Sequence, residues 1–261
     1  MMLCTLASSS SGNCTIVSHG KTHMLIDAGI SLRRIKDGLR HAGLVPDEIT
    51  GILVTHEHSD HINGIKMLAK YYKIPIFSSF GTGYGINSIM PEVEPFINCF
   101  EIGVDFELGD IAVRSFSTPH DTDGSVGYIL QAGGNTIAYV TDLGYVTDEV
   151  LNATLGADLA VIEANHDRDM VKNGSYPNFL KRRVLSERGH LANCDSGSFA
   201  TKLVSAGARY IQLSHLSREN NTPKLARETV ELAMAKKGIS VGKDVELDIA
   251  PSYTMSRSYV L

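Results

Sequence analysis

The sequence predicts a mixed α/β (α+β) chain folded as a four-layer αββα sandwich, two sheets packed face to face with helices outside. Three observations carry this expectation. Hairpin-forming strands come first and strand–helix units second, and that order occurs twice in 261 residues. No linker or low-complexity stretch interrupts it beyond the serines of Ser8–Ser11, so residues 1–261 are expected to form a single domain. The composition, 43% apolar and 20% charged, is that of a globular chain, and this length buries roughly 70–75% of the unfolded surface.

Taken in order, Leu3–Leu6 reads as a short strand leading into the turn-rich loop Ala7-Ser8-Ser9-Ser10-Ser11-Gly12-Asn13. Thr15–Ser18 and Thr22–Ala28 form a hairpin around Gly20-Lys21. Ser31 is a helix cap, with Leu32, Ile35, Leu39 and Ala42 at helical spacing and Gly43 as the stop. Gly51–Thr55 is a buried strand, Ile62–Tyr72 a helix and Ile74–Ser78 a strand. Two hairpins follow: Asp105–Leu108 with Ile111–Ser117 about Gly109-Asp110, and Val126–Gln131 with Thr136–Thr141 about Gly133-Gly134. Then come helix Asp148–Leu155, strand Leu159–Glu163, helices Asn178–Glu187 and Ser196–Ala206, strand Tyr210–Leu213, helix Pro223–Lys237 and strand Val245–Ile249.

Composition excludes several classes. Lys plus Arg number 24 against 29 Asp plus Glu, a net charge of −5, which argues against a purely electrostatic nucleic-acid binder. No apolar run approaches the ~20 residues of a membrane helix, and Met1-Met2-Leu3-Cys4-Thr5 does not open a signal peptide. Neither a membrane nor a secretory route is therefore expected. The four cysteines form no C-x-x-C pair and read as small apolar residues in a reducing compartment, so the expected location is cytoplasmic.

The chemistry is concentrated in Thr55-His56-Glu57-His58-Ser59-Asp60-His61, an H-x-H-x-D-H run directly after a buried strand. His56 and His58 are two apart, so extended backbone projects both imidazoles to one side. Asp60 and His61 are adjacent and point apart as the chain turns into a helix. One loop can thus serve two metal ions, and imidazole with carboxylate suits zinc, manganese or iron. More donors recur at strand ends: His120 in Thr118-Pro119-His120-Asp121, Asp142 in Val140-Thr141-Asp142-Leu143-Gly144, and His215 in Ser214-His215-Leu216-Ser217.

This set resembles that of the metallo-β-lactamase fold superfamily over essentially the whole chain. The resemblance implies His56, His58 and His120 on one divalent ion, Asp60, His61 and His215 on a second, and Asp142 bridging the two. Asp27, in Leu25-Ile26-Asp27-Ala28-Gly29, matches the superfamily's early aspartate, which orients the ligand loop from behind. Class B lactamases lack the histidine matched by His61 and use Cys where Asp142 stands. The oxygen-reducing diiron branch has Glu at the position of His58. Nucleases with a large inserted domain are longer, and the long arm of the tRNA 3′-processing branch has no room here.

What remains resembles the YycJ (WalJ) family. The stretches that carry this are Leu6-Ala7-Ser8-Ser9-Ser10-Ser11-Gly12-Asn13, Ile162-Glu163-Ala164-Asn165-His166-Asp167, Tyr176-Pro177 through Leu180-Lys181-Arg182-Arg183 to Gly189-His190-Leu191-Ala192-Asn193, and Ser214-His215-Leu216-Ser217-Arg218-Glu219-Asn220-Asn221-Thr222-Pro223. Ser8 stands where that family commonly has glycine. The resemblance implies a 5′→3′ exonuclease on double-stranded DNA with a place in DNA repair. A metal-bridging hydroxide would attack phosphorus, with Asp60, Asp142 and His190 as catalytic residues and His190 as the acid that protonates the leaving 3′ oxygen. His166 reads as a second donor, a substrate contact or a structural group. Lys181, Arg182 and Arg183 read as a solvated helix face or as partners of substrate phosphates. Ser10 and Asn13 read as loop residues that either shape a turn or offer donors to a phosphate. The ligand set alone also suits a small-molecule hydrolase acting on a thioester, lactone or cyclic phosphodiester; the basic segment beside His190 favours phosphate chemistry. A non-catalytic binding protein is disfavoured by the completeness of the set.

Overall fold

The computed structural model describes residues 1–261, and its strands fall into two seven-stranded sheets. In the first, β1 (Met2–Ala7), β2 (Cys14–His19) and β3 (Thr22–Ile26) form an antiparallel meander. After α1 (Leu32–His41) the chain turns to parallel pairing, through β4 (Gly51–Leu53), α2 (Ser59–Ile62), α3 (Ile65–Tyr72), β5 (Ile76–Ser79), α4 (Phe80–Ile89) and β6 (Ile97–Phe100). The second sheet repeats the plan. Here β7 (Phe106–Leu108), β8 (Ile111–Ser117), β9 (Val126–Ala132) and β10 (Asn135–Val140) are antiparallel. Helices and parallel-paired strands follow: α5 (Asp148–Thr154), β11 (Leu159–Glu163), α6 (Arg168–Asn173), α7 (Asn178–Val184), α8 (Asn193–Ser205), β12 (Tyr210–Ser214), α9 (Pro223–Ala235) and β13 (Glu246–Ile249). A last short strand, β14 (Tyr259–Val260), closes the edge of β1.

The period-two alternation of the strands builds the four layers. Along β3, Met24 and Ile26 point between the sheets while Leu25 points to the helices; along β11, Leu159 and Val161 point inward while Ala160 and Ile162 point outward. The central cluster joins Leu3, Val17 and Leu53 of the first sheet to Val113, Tyr128 and Leu130 of the second. The outer clusters seat Ile35, Leu39 and Leu68 on the first sheet, and Phe199, Leu203, Val230 and Met234 on the second. Each such side chain removed from water contributes ~1.5–3 kcal/mol. The Tyr128 hydroxyl, buried between the sheets, donates to Val54 O (2.5 Å) and ties the second sheet to the strand that leads into the histidine loop.

Four stretches differ from the sequence reading. The helix expected over Ile62–Tyr72 is two pieces, α2 and α3, because Gly64 N–H donates to Ala28 O (2.7 Å) instead of continuing the first piece. The glycine-rich Phe80-Gly81-Thr82-Gly83-Tyr84-Gly85, to which the sequence reading assigns no element, is helical. A side chain at Gly81 would meet Asp123 O at 2.2 Å and one at Gly85 would meet Glu57 Cγ at 2.6 Å, so the glycines let α4 lie close against the histidine loop. The helix expected to reach Glu187 ends at Val184, where His190 N–H folds back to Val184 O (3.1 Å). The unexpected α6 is capped by Asp167, whose carboxylate accepts from Asp169 and Met170 N–H.

Candidate metal centre

The carboxyl ends of β3, β4, β8, β10, β11 and β12 open on one rim, and each is followed by, or ends in, a donor: Asp27, His56–His61, His120, Asp142, Glu163 and His215. Three of these residues, Asp27, Asp142 and His215, have left-handed backbone at φ of 58°, 59° and 55°. For a non-glycine residue that conformation costs about 1–3 kcal/mol, and the surroundings hold it in place. Asp27 N–H donates to Leu53 O (2.8 Å), and His215 N–H donates to the Ser8 hydroxyl (2.7 Å). Ser8, the departure from the family's glycine, thereby fixes the turn that aims His215. After β4, His58 is extended and begins α2, whose single turn carries Asp60 and His61 to a different side from His56 and His58.

The donor atoms converge in two groups. His58 Nδ1 lies 3.0 Å from His56 Nε2 and 3.3 Å from His120 Nε2. Asp60 Oδ2 lies 3.4 Å from His61 Nε2 and 3.4 Å from His215 Nε2. Asp142 stands between the two groups, with Oδ2 3.4 Å from His61 Nε2 and Oδ1 3.9 Å from His120 Nε2 and 3.2 Å from His215 Nδ1. Asp142 Oδ2 is buried and has no hydrogen-bond partner, as a carboxylate oxygen aimed at a cation would be.

Behind the donors lies a shell that sets their tautomers. A carboxylate only accepts, so its imidazole neighbour must carry the proton on the facing nitrogen. His61 Nδ1–H donates to Asp27 Oδ2 (2.7 Å), and Asp27 Oδ1 accepts from Thr55 N–H (2.8 Å), which anchors the loop. His215 Nδ1–H donates to Glu163 Oε1 (2.9 Å), and His120 Nδ1–H to Gly189 O (3.1 Å). In each case Nε2 is the nitrogen turned toward the cluster, the one whose lone pair a metal ion would take in place of a proton. Asn13 is buried, and its amide reaches Asp60 Oδ2 (3.2 Å) and stands 3.1 Å from His61 Nε2.

Electrostatics divide the centre in two. Burial, then repulsion from neighbouring histidines, holds His56 well below the ordinary imidazole range; burial also lowers His58 and brings His120 down to about 4. These three keep free lone pairs at neutral pH. Burial opposes charge on His61 and His215, but carboxylates outweigh it: Asp27, Asp142 and Asp60 raise His61 to about 10, and Asp142, Asp60 and Glu163 raise His215 well above its usual range. Asp60 is held low despite its burial, by His61 and His215. Several carboxylates thus converge on a dry site and call for positive charge, which divalent cations supply. The donor set, the tautomers and the unpartnered Asp142 oxygen all fit such ions.

His190 sits on the same rim. Its Nδ1 lies 2.8 Å from Glu163 Oε1 and 3.4 Å from Asp142 Oδ1, and its side chain is 16% exposed. The grouping of Asp142, Glu163, His190 and His215 brings it within reach of the cluster. Arg183 lies at the edge, its Nε donating to Asp121 Oδ2 (2.5 Å), while Asp121 Oδ1 is 3.4 Å from both His58 Nε2 and His120 Nε2. Lys181 Nζ donates to Lys172 O (2.7 Å), and Arg182 is exposed. Ser10 is exposed at the loop tip, away from the ligand contacts that Asn13 makes, and His166 is buried.

Two residues of the site have no role in the sequence reading. Glu163 is fully buried and accepts from Leu143 N–H (3.0 Å), Leu191 N–H (3.1 Å), His190 and His215. Its signal was a carboxylate closing the apolar run Leu159-Ala160-Val161-Ile162, where an unpaired charge is not tolerated. Asp121 was legible only as the neighbour of His120.

Residues 22–215 match the model of the beta-lactamase superfamily domain. The chain is 36% identical to exodeoxyribonuclease YycJ of Bacillus anthracis over 98% of its own length and 97% of that protein's. It is 35% identical to exodeoxyribonuclease WalJ of Streptococcus pneumoniae over 94% and 93%. Among solved structures, zinc-bound PqqB from Methylobacterium extorquens shares the fold, with a TM-score of 0.74 at 18% identity over 98% of this chain and 100% of that one.

Proposed function

The chain belongs to the beta-lactamase superfamily, in the branch of the YycJ and WalJ exodeoxyribonucleases, and on that premise we propose that it digests double-stranded DNA from the 5′ end. It is a metal-dependent hydrolase. The observation that carries the finer reading is the His190–Glu163 pair beside the seven clustered donors. A thioester supplies its own good leaving group; a nucleotide 3′ oxygen needs a proton, and this pair is placed to give one.

His56, His58 and His120 would hold one divalent ion, Asp60, His61 and His215 another, and Asp142 would touch both. Ions held there lower the pKa of water and offset the charge that develops on phosphorus. The remaining steps belong to the chain. Glu163 takes the Nδ1–H of His190, which leaves Nε2 to carry the mobile proton. As the bond between phosphorus and the 3′ oxygen breaks, that proton passes from Nε2 to the oxygen, and the hydrogen bond to Glu163 persists throughout. Glu163 stays ionised for this role: burial opposes its charge, but His190 and His215 hold it well below the ordinary carboxylate range. Arg183, paired with Asp121 at the edge of the site, and the exposed Arg182 would meet the strand's next phosphates. Zinc and manganese are the metals proposed.

The test is a substrate panel on zinc- or manganese-loaded protein. Duplex DNA and bis-p-nitrophenyl phosphate are expected to be cut, both sensitive to chelator, and a thioester is expected to survive. Rapid thioester hydrolysis with intact DNA would replace this reading with a small-molecule hydrolase.

A further inference from the structure

Beside His190 lies a small cavity of about 190 Å³, lined by Gly144, His166, Arg168, Lys172, His190 and Asp195 among others. None of the seven clustered donors lines it. His190 does, and its Nδ1 is 3.4 Å from Asp142 Oδ1, so this ring stands between the cavity and the cluster. The volume falls below the ~300 Å³ at which pockets for whole small molecules begin.

The lining selects an anion. His166 is 1% exposed, and its Nδ1 is buried without a hydrogen-bond partner, although its backbone is fixed by a bridge to Ala192. Burying an imidazole nitrogen without a partner costs free energy, and this ring borders the cavity, where a bound group could pair with it. Burial pushes His166 down to about 4, so at neutral pH the ring offers one N–H and one lone pair. Arg168 and Lys172 project from α6 into the same space. Asp195 accepts from Arg168 Nη2 (2.6 Å), which holds the guanidinium in place and spends one of its five donors. Two cations against one carboxylate leave a net positive cavity fitted to an anion with several acceptor oxygens.

We propose that this cavity seats the 5′-terminal phosphate of the strand being digested, so that one nucleotide spans the distance from cavity to metal centre and each cleavage releases a mononucleotide. The inference rests on the exonuclease reading. If His190 protonates the departing 3′ oxygen, the released nucleotide lies on the His190 side, which is where the cavity is. Hydroxide, formed from water whose proton goes to solvent, joins phosphorus; the bond to the 3′ oxygen breaks, the His190 proton ends on that oxygen, and His190 is reprotonated from solvent. The departing nucleotide keeps its own 5′-phosphate and gains a 3′-hydroxyl. The shortened strand now ends in a 5′-phosphate, the group the cavity takes in the next cycle.

The test compares kcat/KM on duplexes bearing a 5′-phosphate or a 5′-hydroxyl. Wild type should favour the phosphate by roughly tenfold or more, the effect of losing a charge-assisted contact. Arg168→Ala/Lys172→Ala should bring the ratio close to one. Equal rates on both ends by a wild-type protein that digests DNA would overturn the cavity assignment and leave the exonuclease reading standing; failure to cut either duplex would overturn the reading and the assignment with it. Independently of turnover, thymidine 5′-monophosphate should shift the His166 imidazole resonances in nuclear magnetic resonance spectra, thymidine should not, and the double variant should lose the shift. Resonances unmoved by the monophosphate would overturn the assignment whatever the duplexes show.

Discussion

Glu163→Gln changes one atom and forces a choice on the site. The wild-type carboxylate accepts on both oxygens: Oε2 from Leu143 and Leu191 N–H, Oε1 from His190 and His215. An amide accepts on one side only. If its oxygen stays with the imidazoles, its NH2 faces two backbone donors in a fully buried place, at about 1–3 kcal/mol for each group left unpaired. That is a large share of the ~5–15 kcal/mol that stabilises a typical domain. If the amide turns round, its NH2 faces the imidazoles, and Nδ1 of His215 and His190 must become acceptors. The His215 proton then moves to Nε2, where the lone pair for the metal stood, and metal affinity should fall by about 10–100-fold. His190 loses the partner that keeps its mobile proton on Nε2. In that orientation turnover on duplex DNA should fall by at least ~100-fold. Elemental analysis, thermal denaturation and turnover together tell the two orientations apart: the first gives a metal-replete, less stable protein, the second a metal-poor one. A Gln variant with full metal, unchanged melting and wild-type turnover would refute the role given to Glu163.

Three further outcomes follow from the same geometry. His190→Ala should keep its metal and lose turnover by roughly 10²–10⁴ on a nucleotide leaving group but much less on p-nitrophenolate, which departs unprotonated; equal losses on the two would remove the acid role. Asp142→Ala should lower metal content at both positions, because Asp142 reaches His61 on one side and His120 on the other; two tightly held ions per variant chain would contradict a shared carboxylate. Arg182→Ala should raise KM for DNA and reduce the slope of log affinity against log salt by about one, and an unchanged slope would show that Arg182 meets no phosphate.

How much of this was legible depended on which physical signal each residue left in the chain. The histidine loop was legible because four donors after the buried strand Gly51–Leu53 have no structural reason to be there. The two-sheet plan was legible because glycine turns separate strands of clear alternation; Gly20, Gly109, Gly133 and Gly134 all have positive φ. The helix α4 was not legible, since its glycines serve close approach to Glu57 and Asp123, contacts made across the fold. Left-handed backbone at Asp27, Asp142 and His215 leaves no mark in sequence, although it aims all three side chains. The basic segment was readable as charge but not as partners: Arg183 is tied to Asp121 beside His58, and Lys181 to a carbonyl of α6. Glu163 was missed because its importance lies in four hydrogen bonds that converge only after β10, β11, β12 and the His190 loop are assembled.

The most direct measurement of the central claim is a time course on one duplex carrying a label at the 5′ end of one strand and, in a parallel sample, at its 3′ end, with metal-loaded protein and a chelated control. The account predicts that the 5′ label appears at once as a mononucleotide, that the 3′ label shortens by single steps and reaches mononucleotide last, and that chelation stops both. Early release of the 3′ label, internal cuts, or an intact duplex under conditions where bis-p-nitrophenyl phosphate is hydrolysed would contradict it.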